Sequence, residues 1–327
     1  MKPYIITVID TEEEFDWKKE FSREQTGVSH LQFVERIQSI FNRYNIIPVY
    51  VVNYPVASQP EGYEPLYNIL SQGRCIIGAH MHPWVNPPFE EDVCAYNSFP
   101  GNLPRSLESK KLEILCECIE RNFAVRPAIY KAGRYGIGVN TFDILAEQDF
   151  EFDISFCPHF DFSKEGGPNF TDKTAKPHWL DVERKLFEIP LTVGFEGIIR
   201  TIGPRLYPKL KQGLLEKLHM PGIFSRFRLL NRVTLSPEVS NLAEMIRLVR
   251  DQYRDGARIF SLAFHSPTIE PGHTPYVRSQ QDVDGFLSKM QRFFDFFFTE
   301  FEGEPSTPEQ IRKMFNSTDS PHISEAL

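Results

Sequence analysis

Cysteine is scarce in this sequence: the 327 residues contain five, an odd number at irregular spacing. Free thiols in a reducing compartment are typical of this pattern, whereas a disulfide framework uses an even set. Cys116 and Cys118 resemble a metal-binding pair, but they fall in an amphipathic helical pattern, where side chains two positions apart point about 200° away from each other. Both are therefore predicted to be packing residues.

Other absences narrow the function. No apolar run approaches the roughly 18–20 residues of a membrane-spanning helix, and the first strand pattern begins too close to Met1 to leave room for a signal peptide. We therefore expect a cytoplasmic protein. The net charge of −8 argues against nucleic acid as a partner. The sequence also has neither the GxxxxGK[ST] phosphate loop nor the GxSxG nucleophile elbow.

Short β-branched or apolar runs alternate with helical patterns along the chain. This alternation predicts an α/β fold with a parallel sheet, open or closed into a barrel, whose chemistry gathers at the carboxyl ends of the strands. The predicted strands cover residues 4–9, 47–52, 74–79, 126–131, 151–155, 186–192 and 258–264. The predicted helices cover residues 29–44, 62–72, 106–123, 139–149, 239–254 and 280–301, with Ser240 as the predicted N-cap of the fifth.

The alternation is interrupted at about residues 200–235, which we interpret as a basic insertion in a single barrel domain spanning residues 1–302. Residues 200–232 hold eight Lys or Arg against one acid, with aliphatic residues interleaved. An anionic substrate carrier, a peripheral membrane contact or a solvated helix pair capping the barrel would each explain this composition. The polar segment 303–327 is predicted to be a tail that is partly disordered.

The first predicted strand leads into VIDTEEEFD, which contains five carboxylates between Asp10 and Asp16. Neighbouring carboxylates repel one another, so each is harder to ionise unless a cation or hydrogen-bond donors compensate. A solvated acidic turn is the simplest interpretation. The alternative is a site that supplies the compensating charge.

Histidines at the ends of two other predicted strands favour the second interpretation. IIGAHMHPW ends the third strand, and residues two apart on a strand point to the same side, so His80 and His82 could reach one metal ion. SLAFHSP ends the last strand and delivers His265 to the same edge of a parallel sheet. Carboxylates, a His-x-His pair and a single histidine together are the composition of a zinc-type site with an accompanying acid and base.

The fourth predicted strand leads into YKAGRYGIG, residues 130–138, which has three glycines and two cations. It predicts a tight loop from which Lys131 or Arg134 can approach the carboxylates. An ordinary strand–helix turn is the alternative. The loop contains no GxGxxG dinucleotide fingerprint.

Five segments in this order resemble the motifs of the NodB-homology polysaccharide deacetylases, carbohydrate esterase family four, and most closely the WalW-like branch found in polysaccharide biosynthesis clusters. They are VIDTEEEFDW, IGAHMHPW, YKAGRYG, FDISFCP and LAFHSPTIEPGHTPYV. The resemblance implies a distorted (β/α)7 barrel and metal-dependent hydrolysis of an N- or O-acetyl group.

The same resemblance implies roles for individual residues. Asp10 corresponds to the family's catalytic base, Glu12 to its metal-binding carboxylate, His80 to its first metal histidine and His265 to its general acid. The fourth motif makes Asp153 a partner for His265.

Further contacts are expected around this set. Arg134 is expected near the oxyanion, which backbone amides near Arg134 and Tyr135 would hold. Trp84, Tyr135 and Lys131 are expected to contact the substrate. Trp84 and Trp17 could stack on a sugar face, and the alternative is that both are core aromatics.

The sequence departs from the family pattern in three places. The family spaces its metal histidines four apart, but position 84 is Trp, so His82 must serve. The adjacent Asp-Asp pair is replaced by Asp10-Thr11-Glu12. Lys131 stands where the family has arginine, with Arg134 nearby as a substitute. Asp16, His159 and Asp161 are reserve candidates for a missing ligand.

We therefore expect a cytoplasmic hydrolase that removes an acetyl group from an N-acetylated sugar or sugar precursor in cell-surface polysaccharide biosynthesis. It would act on a non-peptide carbon–nitrogen bond and use one divalent metal ion, with Zn²⁺ as the expected ion. Two alternatives are a catalytically silent carbohydrate-binding protein on the same barrel and a hydrolase of a non-sugar amide bond.

Overall fold

A computed structural model of the chain describes residues 2–17, 19–181, 183 and 185–316. The strands in this part of the chain are β1 Tyr4–Thr11, β2 Val49–Val52, β3 Ile76–Met81, β4 Ile129–Ala132, β5 Phe152–Asp153, β6 His178–Trp179, β7 Phe187–Glu188, β8 Val193–Glu196, β9 Asn231–Thr234, β10 Ile259–His265 and β11 Glu304–Pro305. The α-helices are α1 Glu35–Arg43, α2 Tyr54–Ser58, α3 Pro60–Ser71, α4 Arg105–Phe123, α5 Thr141–Glu147, α6 Gly203–Leu210, α7 Gly213–Lys217, α8 Met220–Arg226, α9 Leu242–Arg254, α10 Gln280–Asp295 and α11 Pro308–Asn316.

The main sheet is a curled, parallel sheet. Its strands run in the order β10-β1-β2-β3-β4-β5-β7, with β6 added antiparallel beyond β7. After β7 the chain turns back toward β10, where the backbone N–H of Thr192 donates to the carbonyl of Ser261 at 3.1 Å. Individual hydrogen bonds therefore join the two sides instead of a full ladder. This confirms the predicted α/β single domain built as a distorted (β/α)7 barrel.

Buried apolar side chains on both faces hold the sheet in place. Ile5 and Ile9 of β1 pack in the large cluster beneath the helices, whereas Ile6 and Val8 pack in a second cluster inside the barrel. Successive side chains of a strand point to opposite faces, and both faces are covered, so the run reads as continuously apolar instead of alternating. The seven predicted strands correspond to β1, β2, β3, β4, β5, β7 and β10.

Some boundaries differ from the sequence prediction. The helix predicted from residue 239 begins at Leu242, because Asn241 and not Ser240 is the N-cap: the Asn241 side chain accepts from the N–H of Glu244, and the Glu244 side chain accepts in return. The Ser240 hydroxyl instead donates to the carbonyl of Thr234. Strands β6, β8, β9 and β11 lie outside the predicted strands, and β8 begins directly after the predicted strand 186–192.

The basic segment lies between two strands that pair with each other. Strands β8 and β9 are antiparallel, and α6, α7 and α8 fill the connection between them. A small apolar cluster of its own, made of Phe195, Tyr207, Leu210 and Leu230, holds this excursion together. We call residues 198–228 the basic insertion from here on.

The chain beyond residue 302 packs on the barrel. Strand β11 pairs in parallel with Tyr4–Ile5 of β1, and Ile311 of α11 is fully buried. The remainder of the predicted polar tail, residues 317–327, lies outside the described residues. No helix among the described residues combines the length and apolar character that crossing a membrane requires.

A buried lysine fixes the loop that follows β3. The ammonium of Lys111 on α4 donates to the carbonyls of Pro83, Asn86 and Pro88 at 3.0, 2.5 and 2.7 Å. It also pairs with Glu91 at 3.0 Å, and its side chain is fully buried. One cation thus satisfies the backbone of a loop that has no ladder of its own.

Replacing Lys111 with Met should lower the free energy of unfolding by about 3–5 kcal/mol, because the change leaves a buried carboxylate and three carbonyls without their donor. Urea unfolding followed by circular dichroism would measure the loss. Lys110→Met is the matched control, since this neighbouring lysine is exposed and pairs with the exposed side chain of Glu113. Equal losses in the two variants would contradict the role assigned to Lys111.

Candidate active site

Strand alternation brings the predicted site residues to one place. Asp10 and Glu12 continue the inward-facing series of Ile6 and Val8, and Lys131 continues that of Ile129. Likewise His265 follows Ala263, a member of the inner cluster. Because the strands are parallel, all these side chains reach the same end of the barrel, where Asp10 lies opposite His265 and His80 opposite Lys131.

Glu12, His80 and His82 converge at the centre of this end. The Nε2 atoms of His80 and His82 lie 3.5 and 3.4 Å from the same atom, Oε2 of Glu12. All three residues are 2% exposed. The other carboxylate oxygen of Glu12 is buried and has no hydrogen-bond partner among the described residues.

The outer nitrogens of both histidines are already engaged. Nδ1 of His80 lies 2.9 Å from the carbonyl oxygen of Lys131 and must donate to it, since a carbonyl only accepts. Nδ1 of His82 lies 2.9 Å from Oε2 of Glu13. Such partners orient a ring and leave Nε2 with a free lone pair, which is the arrangement found behind metal-bound histidines.

Glu13 is a site residue that the sequence prediction missed. Its carboxylate is fully buried and accepts from Trp84 Nε1 at 3.0 Å, from the side-chain amide of Asn53, and from His82. As the neighbour of Glu12, it faces the other side of the extended chain, where it supports a ligand instead of being one. The only sequence signal was its place inside the acidic run.

The same contacts favour the core-aromatic interpretation of Trp84, which lines the cavity, over stacking on substrate. The indole is 2% exposed, its N–H is used by Glu13, and its ring is stacked on His82 with centroids 4.3 Å apart. Phe21 packs against it as well, at 4.6 Å. Trp84 therefore braces His82, and Trp17, 36% exposed at the cavity wall, is the more accessible indole.

This trio has the donors that a divalent metal ion requires. Two imidazole nitrogens and a carboxylate oxygen are a common ligand set of catalytic zinc sites, and the unpartnered oxygen of Glu12 is otherwise hard to explain in a buried position. One other described group, Glu14, Glu270 and His273, also has ligand atoms within 4.8 Å of one another. It is partly exposed, and its histidine already pairs with both carboxylates.

Asp10 lies beside the trio with a cation of its own. The ammonium of Lys131 contacts both carboxylate oxygens, at 2.6 and 2.8 Å, and both side chains are buried. Burial alone would raise the pKa of Asp10, but Lys131, together with His80 and His265, lowers it. Asp10 is therefore held ionised.

This ion pair bears on two predictions for the YKAGRYGIG loop. Lys131 approaches a carboxylate of the acidic run, as predicted, and it also lines the cavity, so its contact with substrate stays a prediction. Arg134 is not a substitute for it, because its guanidinium turns away to Ser98 Oγ at 2.6 Å and to Glu165. Arg134 and Tyr135 both line the cavity, and both have positive φ angles, 55° and 58°.

His265 lies on the other side of Asp10. Its Nε2 is 3.8 Å from Asp10 Oδ2, and its Nδ1 is 2.8 Å from Oε2 of Glu238. Burial would lower the pKa of His265, but Glu238, Glu12 and Asp10 raise it to about 10. The ring is therefore protonated at neutral pH.

The partner predicted for His265, Asp153, is wrong. Phe152 points into the inner cluster, so the adjacent Asp153 faces away from it and contacts Ser155 and Glu188 instead. Glu238 comes from the segment after β9, for which the sequence offered no local signal.

The reserve ligands also lie elsewhere. His159 packs against Phe195 and bonds the carbonyl of Thr171, whereas Asp161 accepts from the N–H of Ser163. Asp16 is exposed and pairs with Lys19.

A single cavity of about 390 Å³ is lined by the trio and by Asp10, Lys131 and His265. Aromatic rings form much of its wall, and among them are Phe15, Trp17, Tyr135, Phe160, Phe162 and Tyr276. Trp17 stands edge-on to His265 with centroids 4.9 Å apart. Aromatic walls with a few charged groups at the base are typical of a small-molecule site.

No protein-family model matches this chain, and no curated protein matches its sequence. Among solved structures, it is similar to a probable polysaccharide deacetylase from Pseudomonas aeruginosa PAO1, with 14% identity, a TM-score of 0.53, and coverage of 96% of this chain and 90% of that one. It is also similar to Puue allantoinase, with 13% identity, a TM-score of 0.52, and coverage of 97% and 91%.

A 4-alpha-glucanotransferase from Thermococcus litoralis is a further neighbour, with 12% identity and a TM-score of 0.53. The match covers 96% of this chain but 40% of that one. At these identities, the likenesses show a shared fold, the NodB-type barrel, and the chemistry must be argued from the side chains.

His80→Ala should empty the metal site. Loss of a ligand should weaken binding by more than the 10–100-fold typical of losing an outer hydrogen-bond partner, as measured by elemental analysis after dialysis against dilute Zn²⁺. His178→Ala is the matched control, because His178 is also buried on a strand but bonds the carbonyl of Lys176 away from the site. If wild type and His80→Ala hold the same metal content, the site does not exist as described.

Proposed function

We propose that this protein is a metal-dependent hydrolase that removes the acetyl group from an N-acetylated sugar or sugar precursor. The observation that carries the proposal is the buried Glu12-His80-His82 trio flanked, in one cavity, by an ionised Asp10 and a protonated His265. The likeness in fold to a probable polysaccharide deacetylase supports the same reading. Membership of the WalW-like branch, a place in cell-surface polysaccharide biosynthesis and a cytoplasmic location are parts of the proposal that rest on sequence resemblance and composition.

Glu12, His80 and His82 would hold the metal ion, and the donor set suits Zn²⁺. When bound, such an ion polarises an acyl carbonyl and makes a water molecule more acidic. The chain's own part is to orient both rings so that each Nε2 faces Glu12, which Glu13 and the carbonyl of Lys131 do by engaging the Nδ1 atoms. Glu12 is kept ionised, because His265, His80 and His82 lower its pKa although burial alone would raise it.

Asp10 is assigned the role of general base. Its carboxylate is ionised, buried and adjacent to the trio, so it can take a proton from the attacking water. Lys131 holds both oxygens and fixes their orientation. The cost is a weaker base, since the same cation lowers the pKa of Asp10.

His265 is assigned the role of general acid. Cleavage of an amide needs a proton on the departing nitrogen, and the Glu238 carboxylate keeps one on the imidazole. Its Nε2 faces Asp10 across the cavity, at 3.8 Å from Oδ2, so the base and the acid flank a shared space.

The oxyanion is assigned to backbone amides near Arg134 and Tyr135. Two successive residues with positive φ are rare outside glycine, and such strain concentrates at functional sites. The guanidinium of Arg134, held by Glu165 and packed 4.1 Å from the centroid of the Phe99 ring, fixes this turn from outside. In this reading Arg134 positions the turn and does not contact the reacting atoms.

A second candidate is hydrolysis of a non-sugar amide bond. The likeness in fold to Puue allantoinase supports this second candidate. The aromatic wall of the cavity accepts a sugar face or another flat group equally well. A substrate panel separates the two candidates.

The direct test is acetate release from N-acetylated sugars offered free, nucleotide-linked and lipid-linked, beside non-sugar amides. Chelation should abolish turnover and Zn²⁺ should restore it. Asp10→Asn should lower turnover by about 10²–10⁴-fold with metal still bound, whereas Asp153→Asn, a buried strand aspartate outside the cavity, should stay active. Bound metal without turnover on any substrate would favour the catalytically silent alternative.

The pH dependence tests His265. As the general acid it must carry a proton, so turnover should fall as pH rises through its pKa, raised to about 10 by Glu238, Glu12 and Asp10. Glu238→Gln removes one source of that rise and should move the alkaline limb down by a unit or more, toward the ordinary value of about 6.5. His265→Ala should remove the limb and cost about 10²–10⁴-fold. An unchanged limb in both variants would exclude His265 as the acid.

A further inference from the structure

One segment of the molecule is rich in exposed large apolar side chains. Of the fourteen exposed large apolar side chains in the described residues, seven lie within the basic insertion. These are Ile198, Ile202, Leu214, Leu215, Leu218, Ile223 and Phe227, with exposures between 39% and 80%. A segment of about thirty residues thus carries half of them, although isolated exposed apolar residues need no explanation.

The apolar residues follow the helical repeat of two short helices. Leu214 of α7 lies one turn before Leu218, the C-cap of that helix, and Ile223 of α8 lies one turn before Phe227, the C-cap of α8. Helices α7 and α8 contact each other and α6, and the buried cluster of the insertion takes none of these four residues. The insertion therefore presents an apolar face that nothing in the described chain covers.

Exposed cations lie in the same segment as this face. Of the eight Lys and Arg in residues 200–232, Arg200 pairs with Asp255, and Arg232 is turned inward to the carbonyl of His159. The one acid, Glu216, is taken by Lys164. No salt bridge joins the other six to any described residue: Arg205, Lys209, Lys211, Lys217, Arg226 and Arg228. All six are exposed.

The insertion is also tied to the cavity. Glu216 of α7 pairs with Lys164 at 2.8 Å, and the next residue, Glu165, lines the cavity. Strand β9 leads from the other end of the insertion to Thr234 and Ser236, which line the cavity too. The insertion is therefore joined to the cavity wall at two places, one through Glu216 and one through β9.

We propose that the basic insertion docks on the surface of an anionic lipid bilayer. Short helices with an apolar face bordered by Lys and Arg lie in the plane of a membrane interface, where the apolar side chains enter the headgroup region and the cations face anionic lipids. The chain as a whole has a net charge of −8. A local excess of unpaired cations around apolar residues is complementary to such a surface and unlike the rest of this molecule.

The consequence for catalysis rests on the proposed function. Docking would bring the cavity to the membrane, where a lipid carrier would present the acetylated sugar. A free, soluble sugar would gain nothing from it. Docking and catalysis use different residues, so each can fail without the other.

Vesicle co-flotation of the full chain tests the proposal. The protein should float with phosphatidylcholine vesicles that contain phosphatidylglycerol, bind pure phosphatidylcholine vesicles weakly, and lose binding as salt rises. Hydrogen exchange on the anionic vesicles should slow in residues 213–228 and not across the barrel.

Two pairs of variants separate charge from apolar contact. Lys211→Glu with Lys217→Glu should weaken vesicle binding by at least about twentyfold, since each cation near an anionic surface contributes about fivefold in affinity. Leu214→Ser with Phe227→Ser should weaken it by about tenfold or more. The matched controls are Lys110→Glu with Lys313→Glu and Ile47→Ser with Tyr67→Ser, all exposed residues outside the insertion, and these should bind as wild type.

Several results would overturn the proposal. They are no salt-sensitive flotation with anionic vesicles, equal losses in test and control pairs, or protection of α7 and α8 by self-association without lipid. Turnover of a soluble acetylated sugar should be unchanged in all four variant pairs, so that a lost vesicle contact is told apart from a lost active site.

Discussion

Five carboxylates within seven residues impose the strongest constraint on this structure, because a buried cluster of like charges is tolerated only if each member has its own compensation. The barrel satisfies this constraint because successive carboxylates contact different partners. Asp10 pairs with Lys131, Glu12 lies beside the paired histidines, and Glu13 accepts from Trp84 and Asn53. Glu14 accepts from Ser29 and His30, which lower its pKa to about 2 although burial alone would raise it. Only the last, Asp16, is left near solvent. The partners come from β2, β3, β4 and the loops beside them, so the acidic run and the strand order depend on each other.

The same alternation separates the functions of the site. Inward positions carry the groups that can touch substrate or metal, and the adjacent outward position, Glu13, carries the support. Two titratable groups at this end are driven in opposite directions: Lys131 lowers the pKa of Asp10, while Glu238 raises that of His265. A site in which two groups have their pKa values shifted apart in this way can hold an ionised base and a protonated acid at the same pH. The local environment of each residue, and not its type, determines which group is the base and which is the acid.

The separation in sequence between interacting residues decides how much of the fold and of the site could be predicted. Strand positions and the inward direction of Asp10, His80, His82 and His265 depend on local runs and a two-residue period, which the sequence displays. Long-range partners carry no such local mark. Glu238 lies after β9 and reaches His265 only through the fold, and Asp153 was misassigned because a single step along β5 turns it to the other face. Trp84 was expected to face substrate, but its N–H reaches a carboxylate seventy-one residues away, a contact that depends on tertiary structure alone.

Strand β11 has a consequence for the integrity of the barrel. Strand β2 pairs with β1 only from Val8 onward, and β11 occupies the same side of β1 at Tyr4–Ile5, with the N–H of Ser306 donating to the carbonyl of Ile5 at 2.9 Å. Without these last residues, β1 would expose a row of bare peptide groups beside buried apolar side chains, the kind of open edge that recruits other chains into aggregates. The strand that carries Asp10 and leads into Glu12 is thus shielded from intermolecular pairing by a segment more than 290 residues away in the chain. A truncation that looks harmless from the composition of the tail would remove that shield.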